Sequence, residues 1–253
     1  MQLLVPTPIN TEYWLGKSPV TEYNVLVPIH KKVNKNFFKK WAKDMAYVLG
    51  FFAADGYITV NKRGGQFWCI QITDKKLLES IKKAIGSDHK INIRLPKKHR
   101  ESIIYRLQIG SIEMCDDLRR LGFDTRKTKS LSVPNIPNKY FSHFVRGYFD
   151  GDGNVWSGLM HKDRKTYTLV IQTVFTSCSC GFLEEMKKRL EFIDIERGVL
   201  RQGKRGMGNY YRLTYSVLNT LKLYYFMYNR LGTSELFLKR KRDVFEKYIE
   251  LRL

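Results

Sequence analysis

Apolar residues recur at two different periods along this chain, and the change from one to the other marks out two similar halves. Before Phe37 no period holds. Four prolines, mixed polarity and the basic run HKKVNKN predict an irregular N-terminal arm over residues 1–36. From there Phe38, Trp41, Met45, Val48 and Phe52 fall three or four apart, so FFKKWAKDMAYVLGFFAA is expected to be a helix that stops at Asp55-Gly56. YITV and GQFWCIQI then read as strands, with NKRGG suited to the turn between them. KKLLESIKKAI returns to the helical period, with Leu77, Leu78, Ile81 and Ile85 on one side. KINIRL and IIYRLQIG make a second hairpin around PKKHRES, and IEMCDDLRRLG closes the unit as a short helix.

Past the proline-marked connector SLSVPNIPNKY the order returns. FSHFVRGYFDG is helical and stops at Asp152-Gly153, YTLVIQTVF is strand-like, and GFLEEMKKRLEF is helical. GVLRQG and NYYRLTYSV form a hairpin, followed by the helices LNTLKLYYFMY and ELFLKRKRDVFEKYIEL. Leu78, Ile81 and Ile85 correspond to Leu183, Met186 and Leu190, and the two Asp-Gly steps lie 97 positions apart. The chain is therefore read as an internal duplication of order αββαββα. Its expected divisions are an arm over 1–36, a first repeat over 37–127, a linker over 128–139 and a second repeat over 140–253.

Composition narrows the function. At 253 residues, with 43% hydrophobic and 13% aromatic content, the chain can build a sizeable core. Its 45 Lys+Arg against 24 Asp+Glu give +21, a field that collects polyanions, nucleic acid first. No segment approaches the roughly 18 apolar residues of a membrane span. The N-terminus lacks the pattern of a secretory signal. Cys69, Cys115, Cys178 and Cys180 lack zinc spacing, so reduced thiols in a cytoplasmic or organelle-matrix protein, not a secreted one, are expected.

The candidate chemistry sits where the two motif helices end. Gly147 and Gly151 are four apart on one helix face, and Gly50 and Ala54 repeat that spacing in the first half. Small residues on a stripe let two helix backbones approach closely. Each helix then ends on an acid, the wrong sign for its dipole by roughly 0.3–1 kcal/mol. Two such acids brought together also repel each other, and a hard divalent cation resolves both conflicts. An EF-hand counted from Asp150 fails, because Val155 stands where glycine is needed and His161 where glutamate is needed.

VLGFFAADG (48–56) and VRGYFDGDG (145–153) resemble the two motifs of a single-chain LAGLIDADG homing endonuclease. The second copy follows the consensus closely. In the first, Ala53 replaces the usual sixth-letter aspartate. The likeness extends over roughly residues 37–253. It implies an α+β fold in which two pseudo-symmetric αββαββα repeats form a saddle of antiparallel sheets, with the motif helices packed at the centre. It also implies a monomer that cuts double-stranded DNA at a long target and leaves 3′ overhangs. Asp55 and Asp152, the eighth letters, would be the catalytic acids and metal ligands, and nothing is claimed for the Ala54 backbone. Mg²⁺ is the implied cofactor, with Mn²⁺ able to substitute and Ca²⁺ supporting binding without cleavage. Asp150 then becomes a helix-end or structural acid.

Further catalytic candidates implied are Lys241 in the second half and Lys127, with Lys129 as fallback, in the first. Gln71 or Asp74, and Ser177 or Ser179, are candidates for positioning water at the ends of the second strands. For DNA contact the strands and basic loops offer Arg63, Arg94, Lys97, Lys98, Arg106, Gln108, Gln172, Arg201, Lys204, Arg205 and Arg212. Arg and Gln on a strand can read base edges, whereas Lys and Arg in glycine-rich loops hold phosphates. The alternative is a cleavage-inactive relative serving as an intron RNA maturase or a DNA-binding regulator. Retention of both acids favours the nuclease. An intein is not expected, and an intron-encoded or free-standing gene is.

Overall fold

A computed structural model describes residues 31–99, 101–124, 131–160, 166–206, 208–229 and 236–252, all within one compact unit, Lys31–Leu253. The first repeat runs α1 (Lys43–Asp55), β1 (Gly56–Val60), β2 (Gln66–Ile72), α2 (Lys75–Ala84), β3 (Ile91–Arg94), β4 (Ile104–Gly110) and α3 (Ile112–Arg120). The second runs α4 (Asn138–Asp152), β5 (Gly153–Met160), β6 (Thr168–Ser177), α5 (Cys180–Glu191), β7 (Val199–Arg205), β8 (Gly208–Tyr215) and α6 (Val217–Tyr228), with α7 (Lys239–Glu250) added. The αββαββα duplication is present.

Each repeat folds its strands into one antiparallel sheet, ordered β1-β2-β4-β3 and β5-β6-β8-β7. Side chains alternate between faces. Trp68, Ile70, Leu107 and Ile109 of the first sheet, and Ile171, Phe175, Leu213 and Tyr215 of the second, are fully buried against helices. Leu77, Leu78 and Ile81 cover one sheet, and Phe182, Leu183, Met186 and Leu190 the other. Helices α2, α3 and α5 begin on side-chain caps: Asp74 accepts from the Leu77 amide at 2.8 Å, Ser111 from Met114 at 3.2 Å and Ser179 from Phe182 at 3.4 Å.

Three local readings change. Helix α1 starts at Lys43, because Phe37 and Phe38 sit in turns closed by the Phe37 amide on Asn34 O and the Lys39 amide on Asn36 O. Both rings are nonetheless buried. Strand β5 is present although no alternation announces it: only Val155 is buried, while Trp156, Leu159 and Met160 are exposed. Strand β3 ends at Arg94, short of the KINIRL segment, and lies at a sheet edge, where Ile93 and the following Leu95 are 58% and 68% exposed.

Candidate active site

The most extensive contact between any two elements is α1 against α4. It is a backbone contact. A Cβ added at Gly50 would lie 2.1 Å from Phe144 O, and one at Gly147 would lie 2.0 Å from Tyr47 O. At the far end, a Cβ on Gly151 would meet the Ala54 Cβ at 2.4 Å and Asp55 Oδ2 at 3.3 Å. The small-residue stripes therefore meet as their spacing predicts, and they bring the two acidic helix ends together. The Asp55 carboxylate reaches the helix that ends in Asp152. Asp55 is half-buried and Asp152 exposed. Each helix stops the same way: the amide of Gly56 or Gly153 bonds back to the carbonyl of Phe52 or Phe149, and that glycine opens a strand.

Lys241, on the first turn of α7, lies beneath this centre and is only 5% exposed. Its Nζ donates to the carbonyls of Phe149 and Gly153, both at 2.6 Å, and of Asp150 at 2.8 Å, with Gly151 O at 3.4 Å. Asp150 and Gly151 lie in the last turn, whose carbonyls a helix C-terminus leaves without intrahelical partners, while Phe149 O also accepts the Gly153 amide. Burial pulls the ammonium down to about 8, opposed by Asp150 and by the more distant Asp55 and Asp152 carboxylates. The sequence placed Lys241 at the catalytic centre. The structure puts it there as a cation bonded to the last turn of α4.

Asp150, 2% exposed, accepts from Tyr47 Oη and from the Leu238 amide, both at 2.7 Å through Oδ2. Burial raises its carboxyl to about 6, against the lowering effect of those two bonds and of Lys241. Beside it Arg146, 1% exposed, donates from Nε to Leu236 O at 2.9 Å and from Nη1 to Met227 O at 2.8 Å. These groups tie α4 to α6 and to the segment leading into α7. The sixth-letter acid is thus structural, as the motif comparison implies.

The register places the other candidates. Gly56 pairs with Ile70, so one step back Asp55 stands level with Gln71, whose Nε2 donates to Tyr57 Oη at 2.6 Å. Gly153 pairs with Phe175, which puts Asp152 level with Thr176. Thr176 therefore holds the place equivalent to Gln71, and strand register was the signal needed to find it. Ser177 and Ser179 are both buried: Ser177 Oγ accepts the Ser179 amide at 3.1 Å, while Ser179 Oγ donates to Leu131 O at 2.7 Å and caps α5. Asp74 is the α2 cap. Lys127 and Lys129 lie outside the described residues.

The sheet faces turned away from the helices carry the proposed DNA contacts. Arg106 and Gln108 are half-buried on β4, and Arg94 is exposed on β3. Gln172 on β6, Arg201 and Lys204 on β7, and Arg212 on β8 are exposed. Arg63 is exposed in the β1–β2 turn, and Lys97 and Lys98 are exposed in the loop after β3. Arg205 ends β7, and its side chain lies outside the described part of the structure. Gln172, Arg197, Arg201, Tyr210 and Arg212 line a concavity of about 430 Å³ on the second face.

A hard divalent cation fits the donors present. Two carboxylates close together at the negative ends of two helices form an oxygen-only set, with room left for water and phosphate. Among the described residues no group of three or more His, Cys, Asp or Glu side chains gathers, here or elsewhere, so the set is these two carboxylates.

Residues 42–129 match the family described as LAGLIDADG-like domain. The LAGLIDADG meganuclease I-AabMI, solved bound to uncleaved DNA, is 17% identical, with 81% of this chain and 88% of that one covered and a TM-score of 0.53. The I-SmaMI LAGLIDADG homing endonuclease bound to cleaved DNA is 15% identical over 84% of this chain and 89% of that one, with a TM-score of 0.52. I-SmaMI bound to an uncleaved DNA target in the presence of calcium ions gives 15%, 84%, 90% and 0.51. None of the curated proteins matches. Residues 42–129 are thus similar to a LAGLIDADG-like domain, and the chain as a whole has the fold of these LAGLIDADG structures.

Proposed function

We propose that this chain is a site-specific endonuclease of the homing type, which hydrolyses both strands of duplex DNA with Mg²⁺ and leaves 3′ overhangs. The observation that carries this reading is the backbone contact of α1 with α4, which sets Asp55 against the end of the helix carrying Asp152. Two equivalent acids at a pseudo-two-fold axis suit two antiparallel strands, one acid to each.

When bound, Mg²⁺ would polarise the scissile phosphate, lower the pKa of attacking water and stabilise the leaving oxygen. Asp55 and Asp152 would hold it through their carboxylate oxygens. Lys241 keeps the end of α4 from unwinding and sets a positive charge beside the two acids. Gln71 and Thr176, level with the acids, present an amide and a hydroxyl that can orient a water. Water oxygen bonds to phosphorus, the bond from phosphorus to the 3′ oxygen breaks, and the departing oxygen takes a proton. The products are a 5′ phosphate and a 3′ hydroxyl on each strand. The exposed cations of both sheet faces hold the duplex in place, consistent with the +21 charge. Such a protein works as a monomer, its second half serving as the partner subunit.

The test is to incubate the full chain with a supercoiled plasmid library in Mg²⁺ and sequence the ends of linear products. Linear DNA with 3′ overhangs at one long sequence is expected. Tight binding to one site without cutting in any divalent metal would move the chain to the regulator or maturase reading.

A further inference from the structure

The two sheets carry matched rows of side chains that begin at the acids. In the first, Asp55 is level with Gln71, Gln71 pairs with Arg106, and Arg106 pairs with Asn92. In the second, Asp152 is level with Thr176, Thr176 pairs with Arg212, and Arg212 pairs with Arg201. The rows read Asp–Gln–Arg–Asn and Asp–Thr–Arg–Arg. All the strand residues in them lie on the helix-free side, because their neighbours Ile70, Leu107, Phe175 and Leu213 are fully buried on the other. With strands spaced by about 4.8 Å, Arg106 and Arg212 each stand roughly 10 Å from the acid of their own row.

The second row breaks a rule of sheet stability. Like charges directly opposite on neighbouring strands destabilise the pair, yet Arg201 faces Arg212 and both are exposed. Among the described residues neither makes an ion pair with a carboxylate. Arg212 instead lies over the Tyr210 ring at 5.0 Å. An acceptor-rich partner would relieve this arrangement. The major-groove edge of guanine offers O6 and N7, which match the planar guanidinium fork, and the adenine edge matches an Asn amide.

Resting on the nuclease reading, we infer that Arg106 and Arg212 are specificity-determining residues, each reading a guanine at mirrored positions of the two half-sites. The half-sites diverge one position further out, where Asn92 selects adenine and Arg201 selects a second guanine. The target is therefore pseudo-palindromic at the arginine positions and asymmetric beside them.

The test is selection of bound duplexes from a randomised double-stranded DNA pool by the full chain, without Mg²⁺. It is repeated with Arg106→Ala, Arg212→Ala, the matching Lys variants and Arg201→Asn. The native pool is expected to enrich G·C pairs at two positions equidistant from the centre. Arg106→Ala should flatten one and Arg212→Ala the other, each weakening binding to the native consensus by about 10–100-fold. The Lys variants keep the charge but lose the fork, so they should lose the base preference while retaining most overall affinity for DNA. That outcome also separates readout from misfolding. Arg201→Asn should convert the adjacent guanine to adenine. A consensus without mirrored G·C pairs, or one unchanged in both arginine variants, overturns this inference and leaves the nuclease reading standing. No enrichment of any duplex by the native chain overturns both.

Discussion

Asp150 and Lys241 each terminate the other's helix. Asp150 Oδ2 accepts the Leu238 amide at 2.7 Å at the start of α7, which has no cap from its own segment. One turn on, Lys241 returns its ammonium to Asp150 O at 2.8 Å and to Phe149 O and Gly153 O at the end of α4. A helix N-terminus wants an acceptor and a C-terminus wants a cation. The exchange meets both needs at once and fixes the strand entry beside Asp152. In the first motif Ala53 stands in place of this acid.

The Asp150 carboxyl gives the fold a pH signature. Its folded pKa is raised by burial from 3.8 to about 6, so the folded protein holds the proton more tightly than the unfolded chain. Its contribution is greatest below about pH 4, declines as pH rises from about 4 to 6, and is level above that. Asp150→Asn keeps an acceptor for Tyr47 and Leu238 and cannot ionise. Its stability relative to the native chain should rise by about 1–3 kcal/mol from pH 4 to pH 7. Urea unfolding of both proteins across that range reads the change, and a constant difference would refute the assignment.

Gly147 tolerates no side chain. An added Cβ would sit 2.0 Å from Tyr47 O and 2.9 Å from the Phe51 amide, both backbone atoms of the opposing helix. Gly147→Ala should cost at least about 3 kcal/mol or prevent folding. Gly181, on the first turn of α5, has open space around its Cβ position, and Gly181→Ala should stabilise by about 0.5–1 kcal/mol. Chemical unfolding midpoints that move in opposite directions are the expected result.

Lys241 should matter to folding as well as to cutting. Lys241→Met removes the ammonium that bonds the carbonyls of Phe149, Asp150 and Gly153 at the buried end of α4. The expected loss is roughly 2–4 kcal/mol, read as a lower unfolding midpoint in the absence of DNA. A side chain that only contacted substrate would leave that midpoint unchanged.

The four thiols should separate by reactivity. Cys69 and Cys115 are fully buried, and burial pushes the Cys115 thiol up to about 11. Cys180 is half-buried and donates to Glu184 at 3.5 Å, while Cys178 is exposed. Titration of the native protein with an aromatic disulfide at pH 8 should show one fast thiol, one slower and two protected until urea is added. Early reaction of Cys69 or Cys115 would contradict the packing of β2 and α3.

Much of this was legible in the residues. Periodicity located the helices, and the stripes Gly50–Ala54 and Gly147–Gly151 foretold that α1 and α4 touch, because only small residues permit it. Both acids followed from the stripes. Strand β5 escaped, since a strand that buries only Val155 has no alternation to detect. The start of α1 was set too early, because Phe37 and Phe38 are buried from turns and still fit a helical spacing. Ser177 and Ser179 stand at the end of the second strand, while strand register, which no single segment encodes, puts Thr176 level with Asp152. Lys241 is legible as the lysine at the start of the last helix, while its four carbonyl partners depend on a fold that returns α7 to α4.

The central claim is that Asp55 and Asp152 form two acid sites, one for each DNA strand. The direct measurement is cleavage of a supercoiled plasmid carrying the selected target, in Mg²⁺, by the native chain, Asp55→Asn and Asp152→Asn, with both strands sequenced. The account predicts linear product from the native chain and loss of double-strand cutting in each variant, with unfolding midpoints and DNA affinity close to native. Undiminished double-strand cutting by either variant would contradict it.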